Sequence, residues 1–346
     1  MTQQLVHGGQ LQAIAQHYEI PLEQWLDLST GIAPRGYPVD KLPAQCWHRL
    51  PEPNHALLKA AQDYYACDYL LPIAGSQSVI QLLPRLCHEQ RLATNTVTSS
   101  KTSRVWLPKV GYKEHQKAWQ QADYKLHLYT NINELNAVAQ GDIVVIINPN
   151  NPSGELLDYQ HISALYHELK AKQVLLIVDE AFMDANPQHS LLSALPCEQL
   201  IILRSVGKFF GLAGIRLGFV AATPKWLTLF EQALGPWSIN GPAQYVGAQA
   251  LADKTWQLAQ LNNLSTWSNA LEQLLSATFN RKIKGTVLFK TVLHPNAPDL
   301  FKALCQQGIY VRLCDEQNAL RFGIPDEQGL SRLAQALASG SVQVLI

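Results

Sequence analysis

The 346-residue chain lacks several features that would place a protein at a membrane or on nucleic acid. No apolar run reaches the ~20 residues that a membrane-spanning helix needs. The opening MTQQLVHGGQLQ has neither the basic nor the apolar region of a secretory signal. Lys and Arg together number 27, as do Asp and Glu, so the formal net charge is zero. We therefore expect no nucleic acid and no membrane among its partners.

The cysteines form no recognisable framework, because none of the six belongs to a C-x-x-C pair. Neither a disulfide scaffold nor a metal site is expected from such a distribution, and reduced thiols favour a cytoplasmic protein. The cysteines in question are Cys46, Cys67, Cys87, Cys197, Cys305 and Cys314.

The centre of the chain alternates short apolar runs with helical patterns. A helix is predicted over 157–172, where apolar residues recur at helical spacing. Continuous apolar strands separated by helices indicate an α/β fold, with a mostly parallel sheet covered by helices on both faces. The predicted strands are 142–149, 173–182, 199–205 and 216–222.

The regions on either side of this α/β centre have different sequence patterns. Residues 250–277 predict one long amphipathic helix, and the later runs GTVLFKTVL, IYVRLC and ALRFGI predict strands of a small α+β unit. The polar run 94–103 predicts an exposed loop. The organisation we infer is an N-terminal arm (1–35), a large domain (36–250), and a small C-terminal domain with its connecting helix (251–346).

Four signals follow predicted strands, where α/β folds place their ligands. PNNPSG, which contains Asn151, is by itself an ordinary turn. Asp179 ends the apolar strand VLLIVD, so its charge needs a partner, which could be purely structural. Lys208 lies between Ser205 and Arg216 in a glycine-rich and aromatic loop, where a lysine is usually just solvated.

The fourth signal is the turn Gly75–Ser76–Gln77–Ser78 ahead of a helical pattern, which is able to hold a phosphate on free N–H groups. Each signal is weak alone, but together they match the needs of pyridoxal 5′-phosphate (PLP). PLP requires a lysine for a Schiff base and an acid against its pyridine nitrogen. It also requires donors to its ring hydroxyl and phosphate. The matching residues are Lys208, Asp179, Asn151, and the set Ser76, Ser205 and Arg216.

The runs NPNNPSG, VDEAF and SVGKFFGLAGIRLGF resemble the signature of the fold-type I PLP-dependent enzymes, the aspartate-aminotransferase-like class. Near the start, HGG followed by DLSTGIAPRGYP is similar to the threonine-phosphate decarboxylases of cobalamin biosynthesis. This resemblance implies a homodimer that acts on a small phosphorylated amino acid. The implied reaction converts L-threonine O-3-phosphate to (R)-1-amino-2-propanol O-2-phosphate.

The resemblance also assigns roles to single residues. Lys208 would attach the cofactor, Asp179 would pair with its ring nitrogen, and Asn151 would donate to its ring hydroxyl. Tyr112 would stack on the ring, and the cofactor phosphate would be held at Gly75, Ser76, Gln77, Ser205 and Arg216. The implied substrate-binding residues are His7, Gly8, Gly31, Asn151, Arg312 and Arg321.

Three positions depart from the family pattern. Gly31 stands where better-studied members carry Asn, so only backbone contact carries over there. Leu50 stands where they carry a Tyr that reaches the neighbouring subunit's cofactor phosphate. Phe182 stands where many aminotransferases place a Tyr on the ring hydroxyl, which leaves more of that role to Asn151.

The cofactor motifs do not separate decarboxylation from transamination, because substrate anchors decide which bond breaks. Arg321 could hold an α-carboxylate, as an aminotransferase requires. Arg312 and His7 in addition suit a dianionic phosphate better than a lone carboxylate, although Arg312 could instead form a surface ion pair. The alternatives left open are a histidinol-phosphate-type aminotransferase and, in another class, a non-catalytic PLP-binding regulatory module.

Overall fold

The computed structural model describes residues 7–93 and 104–346, with no side-chain description for 91–93. The loop predicted over 94–103 lies outside the described residues. No helix in the described part of the chain is both long and apolar enough to cross a membrane.

The larger sheet has seven strands in the order β2–β8–β7–β6–β5–β3–β4. Strands β3 to β7 pair in parallel, whereas β8 runs antiparallel to both of its neighbours. Side chains point to alternate faces along a strand, and here both faces are apolar because helices cover both. The strands are β2 (Leu70–Ile73), β3 (Arg104–Pro108), β4 (Lys125–Tyr129), β5 (Ile143–Ile147), β6 (Leu175–Asp179), β7 (Leu200–Ser205) and β8 (Gly218–Ala221).

Helices pack on the two faces of this sheet in two separate apolar clusters. Residues of α4, α5 and α7 share one cluster with Val145 and Ile177, while residues of α3, α6 and α8 share the other with Val144 and Leu176. The helices before the C-terminal unit are α1 (Leu11–Tyr18), α2 (Gln45–His48), α3 (His55–Tyr65), α4 (Ser76–Ala93), α5 (Lys113–Gln121), α6 (Tyr159–Ala171), α7 (Pro224–Leu234), α8 (Gly241–Ala252) and α9 (Lys254–Phe279).

A second sheet of five strands, in the order β1–β11–β12–β10–β9, carries the C-terminal unit. Its first strand comes from the N-terminal arm and runs parallel to β11. The arm is therefore anchored on the C-terminal unit, where α1 packs against Cys305 and Tyr310. The elements are β1 (Leu26–Leu28), β9 (Lys284–Gly285), β10 (Phe289–Leu293), α10 (Ala297–Cys305), β11 (Ile309–Leu313), β12 (Ala319–Gly323), α11 (Glu327–Leu337) and α12 (Gly340–Gln343).

Two predicted elements are wrong in detail. The single helix over 250–277 is two helices, because α8 ends at Ala252 and Asp253 caps the next one by accepting from the backbone N–H of Trp256. The run 285–293 is the end of β9 and a separate strand β10, joined by a turn that starts at Gly285. The predicted α/β class is confirmed, and the domain limits at residues 35 and 250 stay a prediction.

Candidate active site

The candidate site lies where β5, β6 and β7 end at their carboxyl edge. Asp179 is the last residue of β6, and Ser205 is the last residue of β7. Asn151 follows β5 within four residues. Parallel strands bring their carboxyl ends to one edge of a sheet, so residues distant in sequence converge there.

Asp179 is a buried carboxylate held by two donors. Its Oδ2 lies 2.9 Å from Nε2 of His115 on α5, and its Oδ1 accepts from the backbone N–H of Ala181 at 3.1 Å. His115 is only 1% exposed, and its other ring nitrogen has no partner among the described residues. The pair presents an oriented negative group, which is what a protonated pyridine nitrogen needs.

The residues predicted to hold a phosphate converge at one edge of the sheet, where β7 and β2 end and β8 begins. Ser205 and Ile73 both pair with Gly218 on β8, and the turn after β2 leads directly into α4. A Cβ on Gly75 would come within 2.6 Å of Nη2 of Arg216, and a Cβ on Gly218 within 3.3 Å of the backbone N of Ser76. A hydroxyl, a guanidinium and a helix N-terminus therefore surround one small space, which suits a phosphate group.

Gln77, also predicted to hold the phosphate, has side-chain contacts outside this cradle. Its side-chain amide donates to Glu114 at 3.0 Å, and its carbonyl oxygen accepts from the hydroxyl of Tyr112 at 3.1 Å. The backbone N–H of Gln77, in the first turn of α4, is placed to donate to a phosphate. Burial, followed by the charge of Glu114, raises the pKa of Tyr112 to about 12, so this phenol stays protonated.

Lys208 lies in the loop after β7, with its ammonium nitrogen 5.5 Å from the centroid of the Phe182 ring. Burial, then the charges of Arg321 and Arg216, lower its pKa to about 8, against the opposing effect of Asp179. A lysine amine that loses its proton near neutral pH is a competent nucleophile towards a carbonyl group.

Arg321 and Arg312 face each other directly across the antiparallel pair β11–β12. Like charges in this arrangement repel each other, so an anion bound between the two guanidinium groups would offset the repulsion. Arg321 is 5% exposed and donates to the side-chain oxygen of Asn151 and, at 2.6 Å, to the carbonyl of Ser29. Burial, followed by the charge of Arg312, lowers the pKa of Arg321 to about 10.

The alternative interpretation of Arg312 was an ion pair, and the structure shows one: its Nη2 lies 3.0 Å from Oδ1 of Asp315. Both residues nevertheless line the same cleft as Arg321 and Lys208. The ion pair is therefore at the mouth of the site and not on a remote surface. Lys113, which the sequence did not single out, also lines this cleft and pairs with Glu316 at 3.0 Å.

The N-terminal arm contributes to the cleft at His7, Gly8 and Gly31. His7 is 2.7 Å from Glu114, and the backbone N–H of Gly9 donates to Ser29 at 2.8 Å. The arm is thus tied both to α5 and to the segment that Arg321 contacts.

The three departures from the family pattern have different structural consequences. Any side chain at Gly31 would collide with Phe182, because a Cβ there would come within 2.7 Å of its ring. Glycine at position 31 therefore leaves the space that the ring of Phe182 occupies. Leu50 is 64% exposed and lies outside the cleft that Lys208 lines.

A buried charged triad behind the site was also not predicted. Arg204 on β7 contacts Glu180 at 2.8 Å and Asp184 at 2.5 Å, and all three side chains are at most 1% exposed. Burial raises the pKa of each carboxyl group, and the guanidinium opposes that effect. The triad ties the end of β7 to the segment directly after Asp179, on which Phe182 lies.

Comparison with known proteins agrees with this geometry. The chain belongs to the family of class I and II aminotransferases, which matches residues 45–337. It is 40% identical over 337 residues to a threonine-phosphate decarboxylase of Pseudomonas aeruginosa, covering 96% of this chain and 97% of that one. A threonine-phosphate decarboxylase of Sinorhizobium is 37% identical, with 98% and 99% covered.

The fold is also that of a histidinol-phosphate aminotransferase from Sinorhizobium meliloti in complex with pyridoxal-5′-phosphate. The two structures superpose with a TM-score of 0.78 at 17% identity, over 100% of this chain and 96% of the other. The predicted fold-type I class and the resemblance to threonine-phosphate decarboxylases are confirmed, and the family is one of PLP-dependent enzymes. The individual site residues stay predictions, which the geometry supports.

Proposed function

We propose that this chain is a PLP-dependent decarboxylase that converts L-threonine O-3-phosphate to (R)-1-amino-2-propanol O-2-phosphate, a step of cobalamin biosynthesis. The proposal rests mainly on the cleft beside Lys208. It holds Arg312 and Arg321 side by side, with Lys113 and His7 at its rim. Such a concentration of cationic donors suits a substrate with both a phosphate and a carboxylate.

The residues around the cofactor fit PLP in this proposal. Lys208 would hold it covalently, and the cradle of Gly75, Ser76, Ser205 and Arg216 would hold its phosphate. When bound, the cofactor supplies an electron sink for the pair released at the substrate's α-carbon. Asp179 stabilises positive charge on the ring nitrogen, and its orientation is fixed by the hydrogen bond from His115 at 2.9 Å.

The substrate residues select which bond of the substrate breaks. Loss of the carboxylate rather than of a proton would require the substrate's acidic groups to be held in one fixed orientation. Arg321 is well suited to such a task, because its contacts to Asn151 and Ser29 fix the guanidinium. Arg312 pairs with Asp315 near the cleft, and a substrate anion can replace this partner.

Carbon dioxide release from O-phospho-L-threonine tests this proposal. The purified holoenzyme should release carbon dioxide without any 2-oxo acid, and Lys208→Ala should abolish the release. Turnover of histidinol phosphate that depends on a 2-oxo acid would instead identify an aminotransferase. Binding of PLP without turnover of either substrate would favour a regulatory module.

We also propose that the enzyme works as a homodimer in the cytoplasm. Three large apolar side chains near α2 and α8 are exposed, namely Trp47 (64%), Leu50 (64%) and Trp237 (58%). A second copy of the chain would remove them from water. The spacing of the six cysteines, which includes no C-x-x-C pair, supports the assignment to a reducing compartment. Sedimentation equilibrium tests the dimer, and Trp47→Arg should shift it towards the monomer.

A further inference from the structure

Glu114, in the first turn of α5, has no part in the mechanism above, yet it lies at the centre of the contacts around the cleft. The residue is 8% exposed. Its Oε1 lies 2.7 Å from Nε2 of His7, and its Oε2 accepts from the amide of Gln77 at 3.0 Å. Both carboxylate oxygens are therefore engaged, one with the N-terminal arm and one with the residue that contacts Tyr112.

A nearly buried carboxylate beside an anion-binding cleft is unfavourable unless a cation compensates for it. Among the described residues, two basic side chains lie within 4.0 Å of Glu114. His7 is at 2.7 Å, whereas Nζ of Lys117, one turn further along α5, is at 4.0 Å. The short contact makes His7 the principal partner of this carboxylate.

The contact also fixes the orientation of the His7 ring. Because Nε2 points at Glu114, Nδ1 is the ring nitrogen that remains for a ligand, and His7 lines the cleft together with Arg312 and Arg321. The ring centroid of His7 lies 5.9 Å from that of Tyr112, so the arm is held next to the residue predicted to stack on the cofactor.

We propose that Glu114 is a positioning residue, which holds His7 so that its other ring nitrogen, Nδ1, meets the phosphate of a phosphorylated amine. This inference rests on the proposed function, in which His7 binds the substrate phosphate. It adds Glu114 to the residues that serve this function. Through its contact with Glu114, the N-terminal arm is held as part of the binding site. The carboxylate itself does not touch the substrate phosphate, which it would repel.

The test measures binding separately from turnover. The holoenzyme is titrated calorimetrically with 2-aminoethyl phosphate, which has an amine and a phosphate but no carboxylate to lose, and with ethanolamine as the ligand without phosphate. The variants are His7→Ala, Glu114→Ala, the double variant, and Glu114→Gln. Lys117→Ala is the matched control, since it removes the more distant charge near Glu114.

Glu114→Ala should raise the dissociation constant for 2-aminoethyl phosphate about tenfold, the effect of one hydrogen bond to a charged group. Binding of ethanolamine should be unchanged. The double variant should bind no more weakly than His7→Ala alone, because the two residues act as a unit. Glu114→Gln, which keeps an acceptor oxygen and the shape of the side chain, should recover most of the affinity. Lys117→Ala should stay within about twofold of the parent protein.

Effects of His7→Ala and Glu114→Ala that multiply in full would overturn the proposal, as would an unchanged dissociation constant in Glu114→Ala. If Glu114→Ala does not fold, the comparison of Glu114→Gln with Glu114→Leu takes its place, with weaker phosphate binding expected only for leucine. With phosphothreonine, Glu114→Ala should raise KM and leave kcat nearly unchanged. A parent enzyme that releases no carbon dioxide refutes the proposed reaction, while the titrations still decide the role of Glu114.

Discussion

Removing the amine of Lys208 should stabilise the cofactor-free protein at neutral pH. The pKa of this lysine falls from 10.5 to about 8, first because of burial and then because of the charges of Arg321 and Arg216. The folded protein therefore carries a charged amine below pH 8 in surroundings that disfavour it. At about 1.4 kcal/mol for each pH unit, the cost amounts to up to about 3 kcal/mol.

The sign of the pH dependence follows from proton binding. Between pH 8 and 10.5 the unfolded chain binds a proton at this lysine and the folded chain does not, so stability rises with pH across this window. Lys208→Met lacks the group in both states. It should therefore be more stable than the parent protein by up to about 3 kcal/mol below pH 8, and the difference should shrink towards pH 10.5.

The assay is urea denaturation of the cofactor-free proteins at pH 7, 8, 9 and 10. Lys302→Met, at an exposed lysine of α10, controls for the loss of a lysine as such. A difference between Lys208→Met and the parent that stays constant from pH 7 to 10 would refute the reasoning. A second measurement follows the acylation of Lys208 by acetic anhydride as a function of pH. Arg321→Gln should move the midpoint of this profile to higher pH, because it removes the stronger of the two arginine charges that lower the pKa of Lys208.

Three other predictions concern the surroundings of the site. Gly75→Ala places a Cβ 2.6 Å from Nη2 of Arg216 at a positive φ of 74°. It should weaken PLP binding at least about tenfold in equilibrium dialysis, whereas Gly214→Ala, where a Cβ meets nothing within 4 Å, should not. Arg204→Met leaves two buried carboxylates without their cation and should lower the free energy of unfolding of the holoenzyme by about 3–5 kcal/mol. His115→Phe removes the side-chain donor to the acid that ends β6, and should lower kcat for carbon dioxide release about tenfold with little change in KM.

The central part of the fold could be predicted from the sequence because its signals are local. Strands β5, β6 and β7 are largely apolar runs, and each ends close to a polar residue that is predicted to hold the cofactor. Asp179 at the end of VLLIVD is the plainest case, since an acid that terminates a buried strand must find a partner. In such places the chemistry and the secondary structure depend on the same few neighbouring residues.

Contacts between distant segments could not be predicted in this way. His115 and Asp179 are 64 positions apart, and His7 and Glu114 are 107 apart. Nothing in the local pattern of VGYKEH distinguishes His115 from an exposed helical histidine. The break at Asp253 was missed for a related reason, because the apolar spacing continues across it while the capping hydrogen bond to Trp256 ends one helix and begins another.

The first turn of α5 explains why decarboxylation and transamination are not distinguished by the cofactor motifs. Four consecutive residues of this turn contact four different parts of the site: Tyr112 contacts Gln77, Lys113 contacts Glu316, Glu114 contacts His7, and His115 contacts Asp179. Two of these contacts lead to the cofactor residues, and two lead to the N-terminal arm and the C-terminal unit that present the substrate anchors. The orientation of the substrate therefore depends on segments from three regions of the chain that meet at this turn, whereas Asp179 and Ser205 lie at the ends of strands in the seven-stranded sheet.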